Sequence, residues 1–570
     1  MEIILATATE PPPTVQQPSP LPRVFSLRFS GVGMWFAGLF FAFSLFPSLL
    51  PRAGYVQGVA SGITIMIGYL IGVGIQTLWR YLQIPALPAR PGKWLRIGAY
   101  AFLALTVVSA IWQYVGWQNE VRSIFDKPAI SPTAWPVIVL VTVVVAALIL
   151  IIARSLRKLA VFGTRLLGRI LPPRLAQLIS VGVIAALLWS LVTGVLVNAF
   201  FGGANAVFSV RDTATTEGTV ETTSTVRSGG PDSLVSWESL GRKGRDFVGT
   251  GPTVEQINEF TGGGAKEPIR AYVGLDSEPT LQGRADLLLE ELQRTGAFDR
   301  EVLVVATTTG TGFLDPMAVD PVEYMWNGDT AIAGVQYSFL PSWISLLADQ
   351  QAVKETSRTV FNTVHDYWST LPEDARPDLY LYGLSLGSYG VESILTSISL
   401  VNEPIDGAFM SGPPFVNPLH DEIEGDRDPG SPAWLPEYED GRTVQFTSSG
   451  SEIDEVLTTN WGPTRLVYLQ HSSDPVVFFN QNLALEEPEW LLDGQRGPDI
   501  PEEMTWVPIV TMWQVALDLP AAGSVPIGHG HMYSPQSNAE AWAAMTQPPG
   551  WTSEQTKQLV TVMQAQGTAQ

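Results

Sequence analysis

Residues 379–387 read Leu379-Tyr380-Leu381-Tyr382-Gly383-Leu384-Ser385-Leu386-Gly387. An apolar run of strand type enters a Gly-x-Ser-x-Gly motif, and a helical pattern follows over 391–399. This succession of strand, sharp turn and helix predicts a nucleophile elbow, in which Ser385 projects from the end of a sheet. Gly383 and Gly387 fit that geometry because side chains there would collide with the neighbouring strand and helix. The motif predicts Ser385 as the nucleophile and the N–H of Leu386, at a helix N-terminus, as a donor to an oxyanion.

Short apolar segments alternate with helical patterns on both sides of the elbow. The strand candidates are 269–273, 302–306, 331–337, 378–382, 407–410 and 465–469, and helical patterns occupy 284–293, 352–370 and 391–399. This alternation predicts an α/β fold with a mostly parallel sheet and helices on both faces. Ligands of such folds bind at the carboxyl ends of the strands.

A serine hydroxyl needs a general base that is oriented by a third group. In a fold with this elbow, the order along the chain is serine, acid, histidine. Asp474 lies in a short loop after the strand candidate 465–469, whereas the strand candidate 407–410 has no carboxylate at its end. Asp474 is therefore the predicted acid.

Two histidines compete for the role of the base. His529 and His531 lie in the glycine-containing loop 528–534, which precedes a helical pattern over 534–545. We favour His531 because it is closer to that helix, and we keep His529, flanked by glycine on both sides, as the alternative base. A His-x-His pair also suits a metal, but further ligands are not grouped nearby, so no metal or other cofactor is predicted.

A second oxyanion donor is expected in the loop after the strand candidate 302–306. Residues 307–312 are all threonine or glycine. Such small residues permit close backbone approach to a substrate, and they also occur in ordinary polar turns. We assign the donor to Thr308 within this window.

Composition separates the chain into two unlike parts. Of its 570 residues, 46% are hydrophobic and only 15% charged, and Cys is absent, which excludes disulfides, thiolate metal sites and cysteine nucleophiles. Residues 1–204 hold 15 Lys/Arg and 4 Asp/Glu, a charge of +11, and residues 205–570 carry −33. The acidic part would repel a phosphate backbone, so nucleic acid is not an expected partner.

Five long stretches in the first third are apolar and uncharged: 31–50, 53–79, 97–119, 128–153 and 175–210. Each has at least 20 residues, enough to cross a hydrocarbon core of about 30 Å as a helix. Gly58/Gly62 and Gly68/Gly72 have the small-xxx-small spacing of closely packed membrane helices, although isolated glycines are also common there.

The basic residues predict the orientation of these spans. Lys and Arg concentrate in the second and fourth connections, which are therefore expected to face the cytoplasm. Five spans then place the N-terminus in the cytoplasm and the acidic part outside the cell membrane.

The expected domains are a Pro-rich cytoplasmic tail (1–30), a five-helix membrane domain (31–204), a flexible linker (205–234) and a catalytic α/β domain (235–570). Two insertions, near 412–464 and 476–526, are predicted to form a cap or lid. They contain five tryptophans: Trp434, Trp461, Trp490, Trp506 and Trp513.

Several segments resemble a known family. These are 46–52 (FPSLLPR), 241–248 (GRKGRDFV), 268–275 (PIRAYVGL), 337–343 (YSFLPSW) and the elbow at Ser385, together with the five N-terminal spans. They resemble the bacterial membrane-anchored alpha/beta-hydrolases common in actinobacteria, over nearly the whole chain after residue 30. The resemblance implies a serine hydrolase fold with Ser385, Asp474 and His531 as its triad.

The expected function is that of an extracytoplasmic serine hydrolase of esterase or lipase type. It would act through an acyl-enzyme on envelope lipids or other acyl esters. Two alternatives remain: an acyltransferase that uses the same triad, and a non-catalytic envelope scaffold.

Overall fold

The computed structural model describes residues 29–85, 88–348, 350–397, 399–448 and 461–566. Residues 29–212 form a helical half and residues 213–566 a sheet half. Most of the predicted tail 1–30, and residues 449–460 of the first predicted insertion, lie outside the described residues.

The helical half consists of long apolar helices. In chain order they are α1 Gly31–Ser44, α2 Gly54–Tyr81, α3 Ala89–Ile124, α4 Ala134–Leu167, α5 Pro173–Ser190, a π-helical turn Leu191–Leu196 and α6 Val197–Asp212. Four of them, α2 to α5, are long and apolar enough to cross a membrane, which indicates membrane association. The prediction of five spans is not confirmed.

The difference arises at the first predicted span, 31–50. Helix α1 has 14 residues and is about 21 Å long, shorter than the roughly 30 Å of a hydrocarbon core. The helix has ended before Pro47, which lacks the N–H that helix continuation requires. Leu49 and Leu50 are completely buried against the sheet half. Hydropathy predicted a span here because it does not distinguish a protein interior from lipid.

Glycines set the close packing of α2 against its neighbours. A Cβ on Gly62 would lie 2.7 Å from Val145 of α4, and a Cβ on Gly72 would lie 2.6 Å from the carbonyl of Val32 in α1. Thr142 Oγ1 of α4 donates a hydrogen bond to the carbonyl of Gly58 (3.2 Å). The small-xxx-small interpretation of these glycines is confirmed, because helix backbones meet there.

The predicted linker 205–234 is partly built into the fold. Helix α6 continues to Asp212, whose carboxylate accepts hydrogen bonds from Gln336 Nε2 (3.1 Å) and the N–H of Arg242 (3.1 Å). Arg227 is buried and donates to the carbonyls of Val248, Thr250 and Pro252. At these residues the chain is therefore fixed to the sheet half, in contrast to the flexible tether that composition predicted.

Among the described residues, seven parallel strands form one sheet in the order β1-β3-β2-β4-β5-β7-β6. They are β1 Ile269–Val273, β2 Val302–Thr307, β3 Thr330–Val335, β4 Asp378–Leu384, β5 Gly407–Ser411, β6 Val444–Thr447 and β7 Arg465–Leu469. The inner strands are buried on both faces, which explains their continuous apolar runs. The predicted parallel α/β sheet is confirmed. Strand β6 lies inside the first predicted insertion, 412–464, so part of that insertion extends the sheet.

Helices cover both faces of this sheet. The helices of the sheet half, in chain order, are α7 Gly241–Gly249, α8 Val254–Thr261, α9 Leu281–Thr295, α10 Pro316–Met325, α11 Ser342–Ala348, α12 Gln350–Trp368, α13 Leu386–Leu395, α14 Ser399–Asn402, α15 Pro418–Gly425, α16 Pro475–Phe478, α17 Val510–Asp518, α18 Pro535–Thr546 and α19 Ser553–Ala565. Among them, α9, α13 and α18 contact strands directly, whereas α17 contacts α1 and α2 of the helical half.

The second predicted insertion, 476–526, packs against the helical half. Phe478, Trp490 and Val515 share one apolar cluster with Leu49 and Phe125. A buried ion pair lies beside it, where Arg52 Nε is 3.0 Å from Asp518 Oδ1. The two halves therefore share a core that contains both apolar contacts and a charged pair.

Candidate active site

The turn between β4 and α13 has the geometry of a strained elbow. Ser385 has φ 55° and ψ −125°, a conformation that costs a non-glycine residue free energy and that the surroundings must enforce. Its neighbours explain the two motif glycines. A Cβ on Gly383 would collide with the backbone of Gly387, and a Cβ on Gly387 would collide with the carbonyl of Thr307 in β2. The turn forms because both positions lack side chains.

Asp474 lies just beyond β7 and is completely buried. Its Oδ1 accepts a hydrogen bond from the N–H of Val476 (2.8 Å) at the start of α16. Its Oδ2 accepts from His531 Nδ1 (2.6 Å) and from the Tyr533 hydroxyl (2.7 Å). Burial alone would raise the pKa of this carboxyl, but the charge of His531 and these hydrogen bonds together hold it below its ordinary value. The group is therefore an ionised carboxylate at neutral pH.

The His531 ring lies between Asp474 and the end of β5. Its Nδ1 bonds Asp474, while its Nε2 is buried without a hydrogen-bond partner among the described residues. The ring lies close to Gly412, since a Cβ on Gly412 would be 2.5 Å from His531 Cε1. The N–H of Ser385 donates a hydrogen bond to the carbonyl of Ser411, the residue before Gly412 (2.8 Å). Ser385 and His531 thus border the same two-residue segment, 411–412.

His529 lies elsewhere, although it is only two residues away. Its Nδ1 is 3.2 Å from Asp499 Oδ2, and its ring contacts Phe125 of the helical half at a centroid distance of 5.0 Å. The carboxylate of Asp474 therefore pairs with His531, and that of Asp499 pairs with His529.

Two backbone N–H groups lie beside the elbow. Leu386 is the first residue of α13, so its N–H has no acceptor within the helix. In the 307–312 loop, the N–H groups of Thr309, Gly310 and Gly312 have acceptors, whereas those of Thr308 and Thr311 have none among the hydrogen bonds of the described residues. Thr308 adjoins Thr307, whose carbonyl faces Gly387. These donors are compatible with an oxyanion site.

Sequence reasoning missed two groups near this site. Tyr533 is buried and bonds Asp474, and its position two residues after His531 was a local signal for it. Asp315 caps the N-terminus of α10 and is also buried. Burial and the nearby Asp320 raise the pKa of Asp315 to about 7, although the hydrogen bond from the N–H of Met317 and the charge of His531 oppose this rise. A lone Asp before a proline gave no signal for that environment.

The fold and this site together define a hydrolase-type α/β protein: a parallel sheet, a strained serine turn and a buried carboxylate–imidazole pair. Two family models match the chain. The model described as "Alpha/beta-hydrolase family" matches residues 269–559, slightly more than half of the chain, and the one described as "Alpha/beta-hydrolase family N-terminus" matches residues 45–252. The chain belongs to this alpha/beta-hydrolase family. Neither the curated proteins nor the solved structures include a match to it.

The raised pKa of Asp315 generates a pH-dependent prediction. The pKa of Asp315 is about 7 in the folded protein and about 3.9 in the unfolded chain. Between these pH values the unfolded chain ionises first, so the free energy of unfolding falls as the pH rises. Asn keeps the helix cap but does not titrate. We measure the apparent Tm of both proteins in detergent and compare them at each pH. The Tm of Asp315→Asn minus that of wild type should increase by roughly 2–4 °C between pH 5 and pH 7.5, because only wild type loses stability over this range. A Tm difference that is constant with pH would show that Asp315 is ionised throughout.

Proposed function

We propose that this chain is a membrane-anchored serine hydrolase that cleaves acyl esters outside the cell, with Ser385 as nucleophile, His531 as base and Asp474 as the orienting acid. One observation carries the proposal. The free Nε2 of His531 and the strained Ser385 border the same segment, while the opposite ring nitrogen bonds a buried carboxylate. His529 also has a carboxylate partner, Asp499, but its ring packs on Phe125 of the helical half, whereas the ring of His531 lies beside the segment that Ser385 borders.

The reaction has two halves. Ser385 Oγ attacks the acyl carbonyl while His531 Nε2 accepts its proton, and Asp474 stabilises the resulting imidazolium. The N–H groups of Leu386 and Thr308 donate to the oxyanion. Return of the proton to the leaving alcohol gives an acyl-serine. Water then attacks this ester with His531 again as base, which releases the acid and regenerates Ser385.

Apolar side chains next to the elbow support an acyl substrate. Leu386 and Tyr389 of α13 form a buried cluster with Tyr337 and Val353, and Phe415 packs against it. An acyl chain is the part of an ester that gains most from such surroundings. Together with the attachment to the helical half, this cluster favours envelope lipids or related acyl esters as substrates.

Connectivity and charge support an extracytoplasmic sheet half. The α1–α2 connection, the α3–α4 connection and the end of α6 all contact the sheet half, through Ser48, Lys127 and Asp212. The α2–α3 and α4–α5 connections therefore lie at the opposite ends of these antiparallel helices. The excess of Lys and Arg lies at and beside those two connections, over residues 80–96 and 154–174, which is typical of a cytoplasmic face.

Replacing the nucleophile should abolish the reaction with an active-site probe. We expect Ser385→Ala to remove labelling of the full-length protein by a fluorophosphonate. Ser393→Ala, on the same helix, should label like wild type, because that hydroxyl only donates to the carbonyl of Gly390. His531→Gln should lower the labelling rate roughly 10²- to 10⁴-fold, since the general base is lost. Undiminished labelling of Ser385→Ala would refute the assignment.

The absence of Cys permits a clean test of orientation. We expect Glu290→Cys, at an exposed position of α9, to react with a membrane-impermeant maleimide in intact cells. Arg169→Cys, exposed after α4, should react only once the membrane is permeabilised. The opposite pattern would place the sheet half in the cytoplasm.

A further inference from the structure

Residues of the sheet half hold the loop that carries His531 by hydrogen bonds on one side. The Gly530 N–H donates to Ser473 Oγ (3.0 Å), and the Gly530 carbonyl accepts from His471 Nδ1 (2.9 Å). The N–H of His531 donates to the carbonyl of Ala522 (3.1 Å). The peptide group before the candidate base is thereby fixed at both its polar atoms.

The other side of the same loop lies on the helical half. Phe125, completely buried just after α3, contacts the His529 ring at a centroid distance of 5.0 Å. A Cβ on Gly530 would lie 3.4 Å from Leu50 Cδ2. Nearby, Lys127 Nζ donates to the carbonyl of Ser524 (3.1 Å). Residues from two connections of the helical half thus contact the loop within a few residues of His531.

His529 links these two sets of contacts. Asp499 Oδ2 is 3.2 Å from His529 Nδ1. It also accepts a hydrogen bond from Ser473 Oγ (3.0 Å), and the same Ser473 Oγ accepts the N–H of Gly530. The hydrogen bond to Asp499 raises the pKa of His529 against the effect of burial, and the charges of Asp499 and Asp126 add to the rise. The ring is therefore held by a carboxylate of the sheet half and an aromatic ring of the helical half.

The backbone of this loop gives such contacts an effect. Gly528 and Gly530 flank His529 and have positive φ values of 91° and 51°. Glycines have the largest conformational freedom to lose on folding, so contacts from outside the loop restrict it further than its own hydrogen bonds between residues 528 and 532 do. An error of about 1 Å at a catalytic group is sufficient to lower a rate by orders of magnitude.

We propose that Phe125 of the helical half is a positioning residue for the candidate base: by packing on His529, it holds loop 528–531 so that His531 stays between Asp474 and Gly412. This inference rests on the proposed function. It means that the helical half is a structural part of the catalytic site as well as an anchor. The catalytic efficiency would then depend on the position of the sheet half relative to the helical half.

The test uses the full-length chain in lipid nanodiscs and three variants. Phe125→Ala removes the ring, and Phe125→Leu retains apolar volume at the same site. Trp135→Ala is the control, because it removes an aromatic ring of the helical half that contacts Tyr114 within that half. Each protein is measured by hydrogen exchange of the 522–533 peptide and by the kinetics of fluorophosphonate labelling, resolved into probe affinity and maximal labelling rate.

For Phe125→Ala we expect at least tenfold faster exchange in the 522–533 peptide and a roughly tenfold lower maximal labelling rate, with probe affinity unchanged within about twofold. Phe125→Leu should recover most of both losses, and Trp135→Ala should behave like wild type. Unchanged exchange in Phe125→Ala, or an equal rise across the whole sheet half, would overturn the positioning role. If exchange changes as expected but wild type is not labelled, the proposed function fails while the support of the loop stands.

Discussion

A completely buried carboxylate constrains the candidate site. An ionised Asp474 without partners in this position would cost several kcal/mol, so the chain must bring it hydrogen-bond donors. It receives three, from His531, Tyr533 and the N–H of Val476. Two of these come from a loop almost 60 residues later in the sequence. The need to satisfy one carboxylate therefore contributes to where the 528–534 loop lies, and with it to the direction in which the second nitrogen of His531 faces.

The position of Asp474 and His531 also explains why the two halves share a core. Segment 476–526 leaves the sheet at Asp474 and returns at His531, so it is fixed at both ends. Its apolar residues pack on Leu49, Leu50 and Phe125, and Asp518 accepts hydrogen bonds from Ser48 and Arg52. A buried ion pair contributes less to stability than apolar packing does, but the loss of one partner is costly. The pair thus favours one relative position of the two halves.

Local patterns in the sequence were sufficient for the elbow and for most of the sheet. The glycine spacing around Ser385 predicted a turn that forms for steric reasons, and six strands were recognisable as short, mostly apolar runs. Strand β6 was missed because Val444-Gln445-Phe446-Thr447 is short and interrupted by a polar residue. The length of α1 was overestimated because residues 45–50 are apolar for contact with protein rather than lipid. The environments of His529 and Asp315 depend on residues distant in the chain, and no local pattern encodes such contacts.

The central claim is that Ser385, His531 and Asp474 act as one unit. An experimental structure of the full-length chain after reaction with a fluorophosphonate tests it most directly. The account predicts a phosphonyl group on Ser385 Oγ, with one phosphonyl oxygen facing the N–H of Leu386, and with His531 Nε2 within about 3.2 Å of an adduct oxygen or of Ser385 Oγ. An adduct on another residue, or an imidazole of His531 directed away from Ser385, would contradict it.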